Sequence, residues 1–121
     1  MKTLLIIEPH TDFRTVFRSI IERQGCDVEI CEAKSSEEGM IKIRKIKPEI
    51  TFFDISLREK NGIKLESKIK KVLPNCRIVV LTPFEDKAFY RWHKTDEIET
   101  FLSKDKLSEN LIGILQEYLD V

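Results

Sequence analysis

Four side chains with usable chemistry stand just after short apolar runs in this sequence. Two are carboxylates, one is a hydroxyl and one is an amine: Glu8, Asp54, Thr82 and Lys104. If the runs are parallel strands, their carboxyl ends meet along one edge of a sheet, where open α/β folds place their chemistry. A nucleophilic carboxylate beside a second acid, a hydroxyl and an amine predicts a small site that accepts a phosphoryl group.

The elements that must position these side chains follow from the apolar pattern. Strands are predicted at residues 3–7, 27–31, 50–53, 78–81 and 98–102. Stripes of apolar residues predict one helix between Phe13 and Ile21 and another between Leu65 and Leu73. Further helices are predicted between Ser35 and Pro48, at residues 86–94, and from a cap at Ser108 to the end of the chain. Ser35 and Glu38 have the spacing of a capping box. The unbroken run at 50–53 is typical of a strand covered on both faces.

Five strands alternating with five helices predict an α/β fold. Right-handed crossovers favour a flavodoxin-like, doubly wound, five-stranded parallel sheet in the order 2-1-3-4-5. The 121 residues are enough for one domain with its own core, so residues 1–121 are expected to form a single domain with no output domain in this chain.

The composition excludes several classes of partner. The 21 basic and 21 acidic residues cancel, so neither nucleic acid nor a membrane is expected to bind the chain directly. Three cysteines without CxxC spacing argue against a disulfide framework and a cysteine metal site. No apolar run has the length of a membrane helix, and the N-terminal run is too short for a signal peptide. A cytoplasmic protein is therefore expected.

The order of these motifs resembles the receiver domain of bacterial two-component response regulators. The resemblance covers nearly the whole chain and is carried by residues 5–10, 50–56, 61–62, 79–82 and 101–104. It implies that Asp54 accepts a phosphoryl group from a histidine kinase or a phosphotransfer protein. It also implies a Mg²⁺ ion held by Glu8, Asp54 and the backbone carbonyl of Ser56. A receiver of this kind is not expected to be an enzyme.

The resemblance further implies a switch. Thr82 would donate a hydrogen bond to the phosphoryl group, Lys104 would pair with Asp54 and later with that group, and Phe101 would turn inward. A plain core role for Phe101 fits the sequence equally well. The fourth helix, fifth strand and last helix would then bind a downstream protein or output domain, and a homodimer could form through the same face. Of Phe89, Tyr90 and Trp92 on the fourth helix, one or two are expected to pack into the core.

The chain departs from the family pattern in three places, at four residues. Pro9 replaces a second metal-binding acid, which is expected to weaken Mg²⁺ affinity, although the longer Glu8 or the nearby Asp12 could compensate. Leu57 and Arg58 replace a Met-Pro pair in the loop after Asp54. Pro83 follows Thr82, where the family prefers a small residue, and it biases Thr82 toward an extended backbone.

Two other interpretations stay open at this point. Because of Pro9, the chain could be a pseudo-receiver that binds proteins without being phosphorylated. An unrelated α/β enzyme is the remaining class. However, residues 9–13 are not the Ser/Thr/Gly-rich phosphate loop of a flavodoxin, and Ser56 stands where a haloacid-dehalogenase-type phosphatase needs a second Asp. No GxGxxG motif is present either.

Overall fold

The computed structural model describes all residues, Met1–Val121, as a parallel sheet between two layers of helices. The strands of the main sheet are β1 (Lys2–Ile7), β2 (Val28–Ala33), β3 (Ile50–Asp54), β6 (Arg77–Thr82) and β7 (Thr100–Ser103). The helices are α1 (Thr11–Arg23), α2 (Ser36–Ile46), α3 (Leu65–Val72), α4 (Lys87–His93) and α5 (Leu107–Leu119). The sheet order is β2-β1-β3-β6-β7, which confirms the predicted order 2-1-3-4-5 for these five strands.

A short hairpin between β3 and α3 was absent from the predicted elements. Its strands are β4 (Glu59–Lys60) and β5 (Ile63–Lys64), which pair antiparallel. Asn61 and Gly62 join them, with φ angles of 55° and 75°. Positive φ at both central residues is what a tight hairpin turn of this hand requires, and Asn-Gly supplies it at little cost. From the sequence alone, Asn61-Gly62 predicts only a break in the loop after Asp54.

Two helix starts show how local patterns succeed or fail. The hydroxyl of Ser35 accepts a 3.1 Å hydrogen bond from the backbone N–H of Glu38, so the predicted cap of α2 is confirmed. The predicted cap at Ser108 is wrong, because α5 already begins at Leu107. A 3₁₀ turn at Lys104–Lys106 leads directly into α5, and Leu107 is buried in the core. Burial of that leucine fixes the helix start one residue before the serine.

Adjacent residues of each central strand face opposite sides of the sheet, and each side has its own core. Phe52 packs with Phe17 on the side covered by α1 and α5. Phe53 packs on the other side, where α2 and α3 contribute Met40 and Ile69. A strand buried on both faces has no room for solvent-facing residues. The central strand β3 therefore offers a charged side chain only at its carboxyl end, at Asp54.

The helices are those of a small α/β protein. None of the five has both the length and the apolar composition needed to cross a membrane.

Candidate functional site

The carboxyl ends of three strands carry the central side chains of the site. Glu8 directly follows β1, Asp54 is the last residue of β3, and Lys104 directly follows β7. Because β1 and β6 both pair with β3 in parallel, these strand ends lie at the same edge of the sheet. Asp54 is aligned with Leu81, so Thr82 is one residue beyond it on the neighbouring strand.

The ammonium group of Lys104 joins two buried carboxylates. Its Nζ lies 2.6 Å from Oε1 of Glu8 and 2.8 Å from Oδ1 of Asp54. The same Nζ lies 4.6 Å from the ring centroid of Phe13, at a distance suited to a cation–π contact. Glu8, Asp54 and Lys104, from distant parts of the sequence, therefore lie together at this edge of the sheet. Lys104 is the residue that contacts both carboxylates.

Asp54 is held as a buried but ionised carboxylate. Its Oδ2 accepts a 3.0 Å hydrogen bond from the backbone N–H of Ser56 and a second one from the Ser56 hydroxyl. Burial would raise the pKa of Asp54, but the hydrogen bonds from Lys104 and Ser56 outweigh it and hold that pKa below its ordinary value. The carboxylate is therefore ready to act as a nucleophile at neutral pH.

The same contacts shift the pKa of Lys104 upward. Burial would lower the pKa of Lys104, but its hydrogen bonds to Asp54 and Glu8 raise it above the ordinary lysine value. The side chain therefore stays charged across the physiological range. It provides a fixed positive charge next to the Asp54 carboxylate.

Glu8 is completely buried, and several neighbours hold it in place. Its Oε2 accepts a 2.9 Å hydrogen bond from the backbone N–H of His10 and lies 2.7 Å from Nδ1 of the same residue. Arg14 on α1 donates to the backbone carbonyl of Glu8 and pairs with Glu32 on β2 at 2.9 Å. The turn at Pro9 folds His10 back onto the carboxylate.

Thr82 does not contact the carboxylates in this structure. Its hydroxyl donates a 3.2 Å hydrogen bond to the backbone carbonyl of Phe84 and lies 2.9 Å from the phenol oxygen of Tyr90. The Tyr90 ring stacks on Phe101, with the centroids 4.6 Å apart and an interplanar angle of 3°. Phe101 is nearly buried in the core on this side of the sheet. Thr82 is thus at the predicted strand end but is turned toward α4.

Sequence reasoning missed a buried ion pair next to the site. Arg58 binds the carboxylate of Glu66 through Nε at 3.0 Å and Nη2 at 2.7 Å, and Nη2 also donates to the His93 carbonyl at 2.7 Å. Both charged side chains are buried. The available signals were the replacement of the family's proline by Arg58 and the position of Glu66 three residues before the buried Ile69. Neither signal identifies the partner.

Asp12 and the aromatic residues of α4 also have definite places. Asp12 is exposed and takes no part in the contacts that hold Glu8 and Asp54, so the structure gives no support for it as a replacement acid.

Tyr90 packs against the core, whereas the Trp92 side chain is 86% exposed. One aromatic residue of α4 thus packs inward, as expected.

The donor set at this edge suits a hard cation in type but not in number. Glu8, Asp54 and the Ser56 carbonyl offer the oxygen ligands that Mg²⁺ prefers. Two carboxylates with one ammonium group also leave one net negative charge to attract a cation. However, Pro9 has no ligating side chain, and both oxygens of Glu8 already have partners in Lys104 and His10. The oxygen donors are thus of the type that Mg²⁺ prefers, but no cluster of three or more acidic, histidine or cysteine side chains is arranged here to hold a metal ion.

Comparison with known proteins agrees with this fold. The family model for the response regulator receiver domain matches residues 4–116. The response regulator protein VraR of Staphylococcus aureus (strain Mu3) is 31% identical over 90 residues, which cover 73% of this chain and 43% of VraR. The chain thus spans less than half the length of this relative.

Solved structures share the fold at lower identity. A response regulator from Desulfuromonas acetoxidans superposes with a TM-score of 0.85 at 12% identity, covering 99% of this chain and 98% of that one. A CheY-like receiver domain protein from Methanospirillum hungatei JF-1 gives a TM-score of 0.82 at 23% identity, covering 99% and 94%. Together with the family model and the sequence relative, the strand-end site leads to one conclusion: the chain belongs to the response regulator receiver domain family.

Proposed function

We propose that this receiver domain takes a phosphoryl group onto Asp54 from a phosphohistidine of a kinase or phosphotransfer protein. A carboxylate oxygen of Asp54 attacks phosphorus, the P–N bond to histidine breaks, and an acyl phosphate remains on the receiver. The observation that carries the proposal is the ionised, buried carboxylate of Asp54 contacted by the Lys104 ammonium. The domain is the acceptor in this transfer, and we do not propose an enzymatic activity for it.

Lys104 would neutralise charge during the transfer. At rest its ammonium group is shared between Glu8 and Asp54, so it already lies next to the oxygen that would be phosphorylated. After transfer, the same group would contact a phosphoryl oxygen. A charged donor fixed before the reaction stabilises developing negative charge without having to reorganise.

A Mg²⁺ ion would assist by neutralising charge on the phosphoryl oxygens. Glu8, Asp54 and the Ser56 carbonyl would hold it, and its affinity would be reduced because Pro9 supplies no ligand. Lys104 and His10 would have to yield the Glu8 oxygens that they now contact. The chain's own donors thus compete with the metal.

Phosphorylation would then alter a protein-binding face. Thr82 would turn toward the phosphoryl group, Phe101 would respond, and the surface of α4, β7 and α5 would change for a downstream protein or output domain. A homodimer could use the same surface. The stacked rings of Tyr90 and Phe101 support this route, because they connect the Thr82 hydroxyl to α4 and β7.

A pseudo-receiver is the second candidate, and a specific observation favours it. Both oxygens of Glu8 are engaged within the chain, and Pro9 removes a further acid. If the metal cannot displace these contacts, the fold would act as a constitutive binding module. Asp54 would then remain unmodified.

Intact-mass measurement after incubation with acetyl phosphate and Mg²⁺ separates the two candidates. A receiver gains one phosphoryl adduct in the parent protein and none in Asp54→Asn. The matched control is Asp12→Asn, which removes an exposed acid near the site and should keep the adduct. If the parent gains no adduct even when Mg²⁺ is in large excess, phosphorylation is rejected and the pseudo-receiver is favoured.

A further inference from the structure

Helix α4 is attached to the rest of the domain without any fully buried side chain. It has seven residues, and none of them is buried. Two polar contacts join it to elements that carry the site: the Tyr90 phenol to Thr82 at the end of β6, and the His93 carbonyl to Arg58 in the loop after β3. A helix with little buried apolar surface depends on such contacts for its position.

The Tyr90 contact has a favoured direction. The Thr82 hydroxyl has one proton, and it donates that proton to the Phe84 carbonyl at 3.2 Å. Either hydroxyl could donate across the 2.9 Å contact, and donation from the Tyr90 phenol to Thr82 is the arrangement that gives both hydroxyl protons an acceptor. Stacking on Phe101 limits the movement of the Tyr90 ring and keeps its hydroxyl at this place.

These two hydrogen bonds oppose the role that Thr82 would have in switching. To donate to a phosphoryl oxygen on Asp54, the Thr82 hydroxyl must withdraw its proton from the Phe84 carbonyl and turn away from Tyr90. The phenol then loses its acceptor in a half-buried place, which is unfavourable unless the ring moves. Movement of Tyr90 also ends its stacking on Phe101.

We propose that Tyr90 is a positioning residue that holds Thr82 in its resting orientation, and that phosphoryl loading of Asp54 frees α4 at Tyr90 while Arg58 keeps it attached at His93. This inference rests on the proposed function of Asp54. Tyr90 acts through Thr82 and does not itself touch the reacting atoms. It differs from the switch implied by the family, because the phenol comes from α4 and the β7 position has Phe101, which has no hydroxyl.

The hydrogen bond between Arg58 and the His93 carbonyl should persist when the site is loaded. Arg58 is held by the fully buried Glu66 through two nitrogens, so its guanidinium group cannot follow the movement of Thr82. The His93 carbonyl belongs to the last turn of α4, where backbone carbonyls lack helical partners and accept from cations. Helix α4 would therefore pivot about its carboxyl end when its contact at Tyr90 is lost.

The chain contains its own reporter of this movement. Trp92 is the single tryptophan, it lies between Tyr90 and His93, and its side chain is 86% exposed. A pivot of α4 changes the surroundings of this indole, so its fluorescence should follow loading of the site.

Beryllofluoride with Mg²⁺, a mimic of the phosphoryl group, provides the test. Wild type, Tyr90→Phe and Tyr118→Phe are titrated while Trp92 fluorescence is recorded. Tyr90→Phe keeps the stacked ring but removes the resting hydrogen bond, so its affinity for beryllofluoride should rise about two- to tenfold. Tyr118→Phe changes the only other tyrosine, which lies on α5 and makes no hydrogen bond to the site, and it should match wild type.

A second measurement uses the wild-type protein alone. Proton contacts between the Tyr90 and Phe101 rings in NMR spectra should weaken on loading, whereas those between Arg58 and His93 should remain. Unchanged ring contacts, or equal affinity in Tyr90→Phe and wild type, would overturn the inference and leave the proposed function intact. If wild type neither binds beryllofluoride nor gains the Asp54 adduct, the proposed function fails and this inference fails with it.

Discussion

At the scale of single residues, one lysine determines the charge state of the site. The Lys104 ammonium contacts Glu8 and Asp54, and both carboxylates are buried. Two carboxylates that share a buried site without a cation would repel each other, and one would take up a proton. Lys104 thus keeps Asp54 ionised. The same contact would compete with the proposed Mg²⁺ ion, because the ammonium group occupies oxygens that the ion would use.

Replacing Pro9 with an acid should strengthen metal binding. In Pro9→Asp, a carboxylate returns to the loop beside Glu8 and adds a hard oxygen ligand, so Mg²⁺ affinity should rise by about 10–100-fold. Titration of Mg²⁺ followed by NMR shifts near Asp54 measures this change. Pro9→Ala is the matched control, because it removes the proline ring without adding a ligand. Equal gains in both variants would show that loop stiffness, and not the lost acid, limits the affinity.

The sequence was sufficient to predict the central residues but not their surroundings. Asp54 and Lys104 could be found because each follows an apolar run, and parallel strands bring their carboxyl ends together. The contacts of His10 and Tyr90 could not be found this way. They depend on a turn after Pro9 and on the position of a short helix, and neither leaves a periodic signal in the sequence.

At the scale of elements, the Arg58–Glu66 ion pair connects three parts of the fold. Arg58 lies in the loop after β3, Glu66 in the first turn of α3, and the His93 carbonyl at the end of α4. The charges are removed from water, so their attraction must offset a large desolvation cost. The pair is therefore better understood as a device that fixes the position of α4 than as a source of stability.

Single and double variants should distinguish position from stability. Arg58→Met leaves the buried Glu66 carboxylate without its partner and should lower the free energy of unfolding by about 3–5 kcal/mol. Arg58→Met with Glu66→Leu removes both charges and should recover most of that loss. Urea unfolding measures both. The control is Lys60→Met, which breaks an ion pair with Glu37 in which both side chains are mostly exposed, and it should change stability little.

An equal loss in the single and double variants would contradict this account of the pair. A further readout is Trp92 fluorescence, because the double variant lacks the contact at His93 even if its stability is recovered. We expect a changed Trp92 signal in both variants and an unchanged one in Lys60→Met.

Long elements were predictable, and short ones were not. The unbroken run at 50–53 and the apolar stripe of α1 could be recognised without tertiary information. The hairpin of β4 and β5 has only two residues in each strand, too few for a period of two to be visible. The last strand is at Thr100–Ser103 and not at 98–102, because pairing with β6 sets its ends and Ile98 enters the core before the strand begins.

At the scale of the whole molecule, firmly packed and loosely packed parts have different roles. The sheet is buried on both faces by two separate cores, and it fixes the strand ends that carry Glu8, Asp54 and Lys104. Helix α4 has no buried residue, and it lies next to Thr82 at the end of β6. A change of charge at the site would therefore move α4 and leave the sheet in place.

The stability of the whole domain should depend on pH through Glu32 on β2. Its carboxylate pairs with Arg14 at 2.9 Å and with Arg18 at 2.8 Å, and both arginines lie on α1. Burial would raise the pKa of Glu32, but the hydrogen bonds from Arg18 and Arg14 outweigh it and hold the pKa below its ordinary value. A depressed pKa means that the unfolded chain binds the proton more tightly. The stabilisation is thus present above about pH 4.3 and is lost as pH falls through the folded-state pKa.

Urea unfolding of Glu32→Gln and wild type, from pH 7 down through the lowered folded-state pKa of Glu32, tests this dependence. At pH 7 the variant should be less stable than wild type by about 1 kcal/mol, since the Glu32 side chain is 32% exposed and its ion pairs are screened. The difference should shrink as pH falls through the lowered folded-state pKa of Glu32, because wild-type Glu32 then becomes neutral as well. Glu37→Gln removes an exposed pair with Lys60 and should show a smaller difference at every pH. A gap between wild type and Glu32→Gln that stays constant with pH would mean that packing of the side chain, and not its charge, joins β2 to α1.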